Sequence, residues 1–186
     1  PSGAPPFTGD VLVRNGTVLR AGTVGSVRAD AIVDAGGCLV TPGFIDVASH
    51  SDRFGTLFTD PAHERALLGG VTTVVVGHGG WSLAPFKRRE QQRAGAGGRP
   101  RPPQVNVGWE SFRDLAACFS RVPLGVNVAT FVGYETASAA TFGGTARDFT
   151  EREWRIVARE IESALDDGAV GVSIAADVTE PARLSA

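Results

Sequence analysis

Among its 186 residues the sequence has no methionine, a single lysine and two cysteines. No Met stands at position 1, so the chain is expected to start after processing or trimming. Lys87 is set against seventeen arginines, which reads as the coding bias of a GC-rich genome. Cys38 and Cys118 make neither a disulfide framework nor a zinc-finger spacing. Both are expected as small buried hydrophobes. No apolar run approaches the roughly 20 residues that cross a bilayer. The opening "PSGAPPFTGD" does not read as a signal peptide. The expected compartment is therefore the cytoplasm, with no membrane partner. A formal net charge of −2 argues against a general nucleic-acid binder.

What is present is a chain of ordinary globular composition, 42% hydrophobic and 20% charged, long enough for one real core. Residues 7–40 read as short strands and turns. "DVLVRNGTVL" sets Asn15-Gly16 between apolar runs, a strong hairpin signal because a type I′ turn needs positive φ at both central residues. "AIVDAGGCLV" repeats the logic with Gly36-Gly37. This N-terminal β segment, residues 1–41, is too small to be a complete domain.

From residue 42 onward, strands alternate with helices. "FIDVAS", "VTTVVVG", "VNVATFVG" and "AVGVSI" read as buried strands. "TDPAHERALLGG" predicts a helix capped by Asp60, with Pro61 in its first turn and with His63 on its surface. "ESFRDLAACFSR" places Phe112, Leu115, Ala116 and Phe119 on one helical face. "TEREWRIVAREIESALDDG" predicts a helix with a Thr150/Glu153 capping box and a stripe of Trp154, Val157, Ile161 and Leu165. Such alternation means βαβ units and a parallel sheet. About four units fit, whereas a closed (β/α)8 barrel needs eight. A doubly wound sheet closes with fewer, so periodicity alone does not choose. Residues 84–108 form a Gly/Pro/Arg-rich interruption. It reads either as a solvated insertion or as a basic lid over an anionic substrate.

Four stretches, taken together, are specific: "LVTPGFIDVASHSD", "GVTTVVVGHGGWSLAP", "NVATFVGYETA" and "ALDDGAVGVSIAADVTEP". In order and spacing they resemble the D-aminoacylase branch (N-acyl-D-amino-acid deacylases) of the amidohydrolase superfamily. The resemblance runs from about residue 9 to the end. It implies a small β-sandwich and a (β/α)8 TIM-like barrel with metal at the C-terminal mouth. It also implies hydrolysis of an N-acyl amide by metal-bound hydroxide. On this reading residues 42–186 are the N-terminal half of the barrel, preceded by a small β-sandwich segment.

The departures from the family pattern fall on its metal ligands. The family's His-x-His at the first barrel strand is here Ala48-Ser49-His50. Its Gly-Asn-Cys-Gly after the second strand is Gly77-His78-Gly79-Gly80, so Gly79 stands where a thiolate would be. Its Gly-His after the third strand is Gly133-Tyr134, and a following arginine is Ser138. The fourth strand offers no lysine for a carbamate bridge. His50 and His78 remain as candidate metal ligands, and Asp52, Tyr134, Glu135 and Ser173 as candidate catalytic or pocket residues. Zinc prefers about three protein ligands and an open position. The expectation is at most one zinc held mainly by residues outside this chain, with a metal-free site as the alternative.

Three functions follow: a divergent hydrolase of N-acyl or amide substrates, a metal-independent biosynthetic acyl-transfer enzyme on the same scaffold, or a non-catalytic homologue. Half a barrel leaves open sheet edges. The expected partner is a C-terminal half, supplied as a separate chain or by cleavage after Ala186.

Overall fold

The computed structural model describes residues 5–86, 108–143 and 148–175. Most of the Gly/Pro/Arg-rich stretch and the segment after residue 175 lie outside the described residues. Two compact units divide the chain, Pro1–Pro42 and Gly43–Ala186.

The first unit holds an antiparallel hairpin of β1 (Asp10–Arg14) and β2 (Thr17–Gly22). Asn15 and Gly16 turn it with φ of 50° and 74°, the left-handed pair that a type I′ turn demands. The Gly36-Gly37 turn also forms, with Cys38 N–H donating to Ala35 O at 2.9 Å. Its flanks, however, make no strand among the described residues, and Ile32, Val33 and Leu39 are more than four-fifths exposed. Cys38 is exposed rather than buried, and Cys118 of the second unit is only partly covered.

The second unit is built on parallel strands. β3 (Phe44–Asp46) pairs with β4 (Val71–Val76), and β4 with β5 (Asn127–Thr130). Phe131 separates β5 from β6 (Val132–Gly133), which pairs in parallel with β7 (Val172–Ser173). Backbone bonds carry the pairing across that break. Phe131 N–H donates to Val76 O, and Val170 N–H to Thr130 O, both at 3.0 Å. The strands therefore succeed one another in chain order. A Rossmann sheet would instead place its fourth strand beside its first.

Helices fill the crossovers. Of the predicted helix over 59–70 only its middle forms, as α2 (Glu64–Leu68), and a separate short helix, α1 (Thr56–Thr59), precedes it. Asp60 ends α1 rather than starting a helix. The residue before a proline disfavours helical backbone, and His63 at φ 48° re-enters it as the N-cap of α2. His63 is 7% exposed, so it is a buried residue and not a surface one. α3 (Phe112–Phe119) starts at a Ser111/Asp114 capping box. It buries Phe112 and Leu115, while Ala116 faces outward. α4 (Tyr134–Phe142) follows β6 directly. α5 (Glu151–Asp166) has the expected Thr150/Glu153 box and fully buries Val157, but Trp154 stays 49% exposed.

Val74 and Val76 point from β4 into a core with Leu57, Trp109, Leu115 and Val157. Trp109 is anchored by its Nε1–H, which donates to Leu83 O at 2.8 Å. Its ring stacks on Phe58 at 5.4 Å. An indole N–H needs such a partner when buried. This packing holds the strand ends in register beneath the loops described next.

Candidate active site

Parallel strands deliver their C-terminal ends to one edge of the sheet, and the candidate residues come from those exits. After β3, Ser49 N–H donates to Val75 O at 3.0 Å and prolongs the pairing with β4. The chain then turns, and Asp52 swings inward until only 3% of it is exposed. Its Oδ2 accepts the Gly77 N–H at 3.0 Å, which ties the first exit to the second. Its Oδ1 is buried with no partner among the described residues. Burial pushes the Asp52 carboxyl above the usual aspartate range. The Gly77 N–H and the nearby His50 pull the other way.

His50 is exposed and meets His78 edge-on, with ring centroids 6.2 Å apart. His78 Nε2 lies 3.0 Å from Val75 O. A carbonyl only accepts, so Nε2 is the donor in this contact. Phe131 backs the His78 ring at 5.2 Å.

The segment 77–80 has positive φ at Gly77, Gly79 and Gly80, and other exits grip it. Ser173 Oγ donates to Gly77 O and accepts from Gly80 N–H at 3.1 Å. Thr136 N–H donates to Gly80 O at 3.2 Å. Glu135 Oε1 accepts the Ala175 N–H at 3.1 Å, and its Oε2 is buried without a partner among the described residues. That oxygen lies against Gly80, where an added Cβ would fall 1.4 Å from it. Burial raises the Glu135 carboxyl above the usual glutamate range, against the pull of backbone N–H groups. Gly133 is likewise pressed against Gly80 O, which an added Cβ would approach to 2.1 Å.

The structure thus brings together His50, Asp52 and His78 at two exits, and Glu135 and Ser173 against the same glycine segment. It turns Tyr134 elsewhere, stacked on Trp154 at 5.6 Å. Ser138 is 9% exposed, and its buried Oγ has no partner among the described residues. Sequence reading missed Ser82 and Thr136. Ser82 Oγ accepts the Gly133 N–H at 2.9 Å, and Thr136 Oγ1 accepts the Ser82 N–H at 2.9 Å. No local pattern marks either: Ser82 follows a Gly-Gly-Trp run, and Thr136 stands among Tyr134, Ser138 and Thr141.

No family model matches the chain. Curated relatives do. It is 35% identical over 172 residues to an N-acyl-D-aspartate deacylase of Alcaligenes xylosoxydans xylosoxydans, covering 92% of this chain and 33% of that one. It is 31% identical over 187 residues to a D-aminoacylase of the same organism, covering 98% and 37%. Among solved structures it superposes on an N-acyl-D-glutamate deacylase from Bordetella bronchiseptica complexed with zinc and a phosphonate inhibitor. There the TM-score is 0.79 at 28% identity, over 100% of this chain and 38% of that one. A D-aminoacylase described as defining a novel subset of amidohydrolases gives 0.76 at 30% identity, over 94% and 36%. The chain is a homologue of the D-aminoacylases.

This D-aminoacylase homologue spans about a third of the length of the curated relatives it matches. Zinc belongs to the Bordetella structure. In the present chain no three His, Cys, Asp or Glu side chains come together as a metal group among the described residues. Asp52 Oδ2 is committed to Gly77 and His78 Nε2 to Val75. Positions 48 and 79 carry no donor side chain. The described residues therefore do not make up a zinc ligand set by themselves, and no step is assigned to a metal. What they do offer is proton chemistry: two carboxyls raised by burial, and an imidazole whose Nε2–H is donated to Val75 O. No helix of the described residues is long and apolar enough to cross a membrane.

Proposed function

We propose that this chain is the first-half portion of a (β/α)8 amidohydrolase barrel, acting on an N-acyl or amide substrate at the strand exits. The observation that carries the reading is the 35% identity to an N-acyl-D-aspartate deacylase over 92% of this chain. The chain-order parallel strands, and the gathering of a buried Asp52, a half-buried Glu135 and the His50/His78 pair at their exits, support it. In this reading the substrate amide lies over the 77–80 segment. Asp52 and Glu135 hold or move protons there, and His50 and His78 orient the acyl group. The rest of the barrel comes from a C-terminal half, whether a separate chain or a cleaved fragment. The N-terminal unit belongs to a small β-sandwich.

The test is release of free D-amino acid from N-acyl-D-aspartate, N-acyl-D-glutamate and simple N-acetyl-D-amino acids by the chain purified with its remaining portion. Turnover of any one supports the reading, and metal analysis of the same sample shows whether zinc accompanies it. A second reading, metal-independent acyl transfer in biosynthesis, is favoured by Ala48 and Gly79 at the positions where the family pattern has ligands. Acyl transfer to an amine without net hydrolysis, in a metal-free sample, would select it. Absence of both reactions with an occupied ligand pocket would select a binding protein.

A further inference from the structure

Ser173 sits on β7, yet its hydroxyl does its work more than ninety positions earlier in the chain. It donates its only proton to Gly77 O and accepts from Gly80 N–H at 3.1 Å. One side chain thus staples both ends of the segment that carries His78. A serine nucleophile needs a base within hydrogen-bond reach of its proton. Here that proton is already given to a carbonyl, and no imidazole or carboxylate is bonded to the hydroxyl among the described residues.

We propose that Ser173 is a positioning residue that fixes the 77–80 segment and, through it, the orientation and tautomer of the His78 imidazole. The argument runs through geometry. His78 lies one residue beyond Gly77, and its Nε2–H reaches back to Val75 O at 3.0 Å. Gly77 and Gly80 both hold positive φ, so little in their own backbone resists rearrangement once the staple is removed. The first exit holds Gly77 by its N–H, through Asp52. The fourth exit holds it by its carbonyl, through Ser173. Loss of the second grip frees the peptide after Gly77 to rotate, and that peptide carries His78.

The experiment is nitrogen NMR of the His78 ring in the chain together with its remaining portion, the signal being assigned by its loss in His78→Gln. In the parent protein a single Nε2–H tautomer is expected. In Ser173→Ala that signature shifts toward a mixture of tautomers, and Ser173→Thr, which keeps the hydroxyl, restores it. If the alanine variant does not fold, Ser173→Cys carries the same comparison, because it keeps the volume and weakens both bonds. An unchanged His78 signature in a folded Ala or Cys variant overturns the proposal.

A kinetic arm rests on the function proposed above. There Ser173→Ala should lower kcat about tenfold or more, with KM changed by less than about twofold. Loss of turnover with an intact His78 signature would instead make Ser173 a group that touches substrate. Absence of turnover in the parent protein rejects the function and leaves the NMR result standing.

Discussion

Glu135 is a half-buried carboxyl with one oxygen bonded to Ala175 N–H and the other pressed against Gly80. Burial is the main reason its pKa is raised. The fold therefore binds its proton more tightly than the unfolded chain does. Stability from this group is complete below the ordinary glutamate value and is lost as pH rises through the folded value. Glu135→Gln mimics the protonated form and should abolish that loss. Melting curves of the two proteins should converge near about pH 4 and separate in favour of the Gln variant toward about pH 7. A parallel pH dependence in both would show that Glu135 titrates normally. The lost ligand positions give a second test at this scale. An added Cβ at Gly79 meets nothing within 4 Å, although its φ of 62° costs a Cys residue roughly 1 kcal/mol. The Ala48→His, Gly79→Cys double variant should therefore fold, with a zinc affinity above that of the parent. Unchanged zinc binding by titration would count against matching these two positions to the family's ligands.

At the scale of elements, legibility follows distance along the chain. The Asn15-Gly16 hairpin and the Thr150/Glu153 box are readable because each is set by residues at most a few positions apart. Thr150 Oγ1 accepts the Glu153 N–H at 3.4 Å and donates to Glu153 Oε2 at 3.0 Å, and Thr150→Ala, which removes both bonds, should cost about 1 kcal/mol in urea unfolding. A loss below about 0.3 kcal/mol would mean that α5 is held by packing alone. The break between α1 and α2 was not readable. Pro61 was visible, but the inward turn of His63 follows from burial that only the folded unit provides. The same holds for the site. His50, Asp52 and His78 could be singled out because they follow apolar strand patterns directly. The bonds from Ser173 to Gly77 and Gly80 span 96 and 93 positions, and no local pattern encodes such a meeting. Tyr134 shows the same limit: its ring stacks on Trp154 of the next helix, a meeting that its place after a strand does not announce.

At the scale of the whole molecule, the decisive feature is a strand succession with two ends. Among the described residues β3 pairs only with β4, and β7 only with β6. At the β3 end Phe44, Ile45 and Val47 are 61%, 60% and 67% exposed. At the β7 end Val170, Val172 and Ile174 are 56%, 42% and 51% exposed. Strand residues this apolar are ordinarily covered on both faces in a parallel sheet. Unpaired strand edges with such side chains template association with other chains. The chain produced alone should therefore self-associate and bind a hydrophobic dye such as ANS. On the half-barrel reading, co-production with the proposed C-terminal half should abolish the dye signal and give one species of the summed mass. The area at stake matters, because taking a Val, Ile or Phe from full exposure to full burial contributes about 1.5–3 kcal/mol. Covering the exposed half or so of these six residues comes to roughly 5–10 kcal/mol, comparable with the net stability of a typical domain. Size-exclusion chromatography with light scattering decides the matter. A lone, monodisperse chain with no dye binding would mean that these faces are covered within the chain itself, and the half-barrel reading would fall with it.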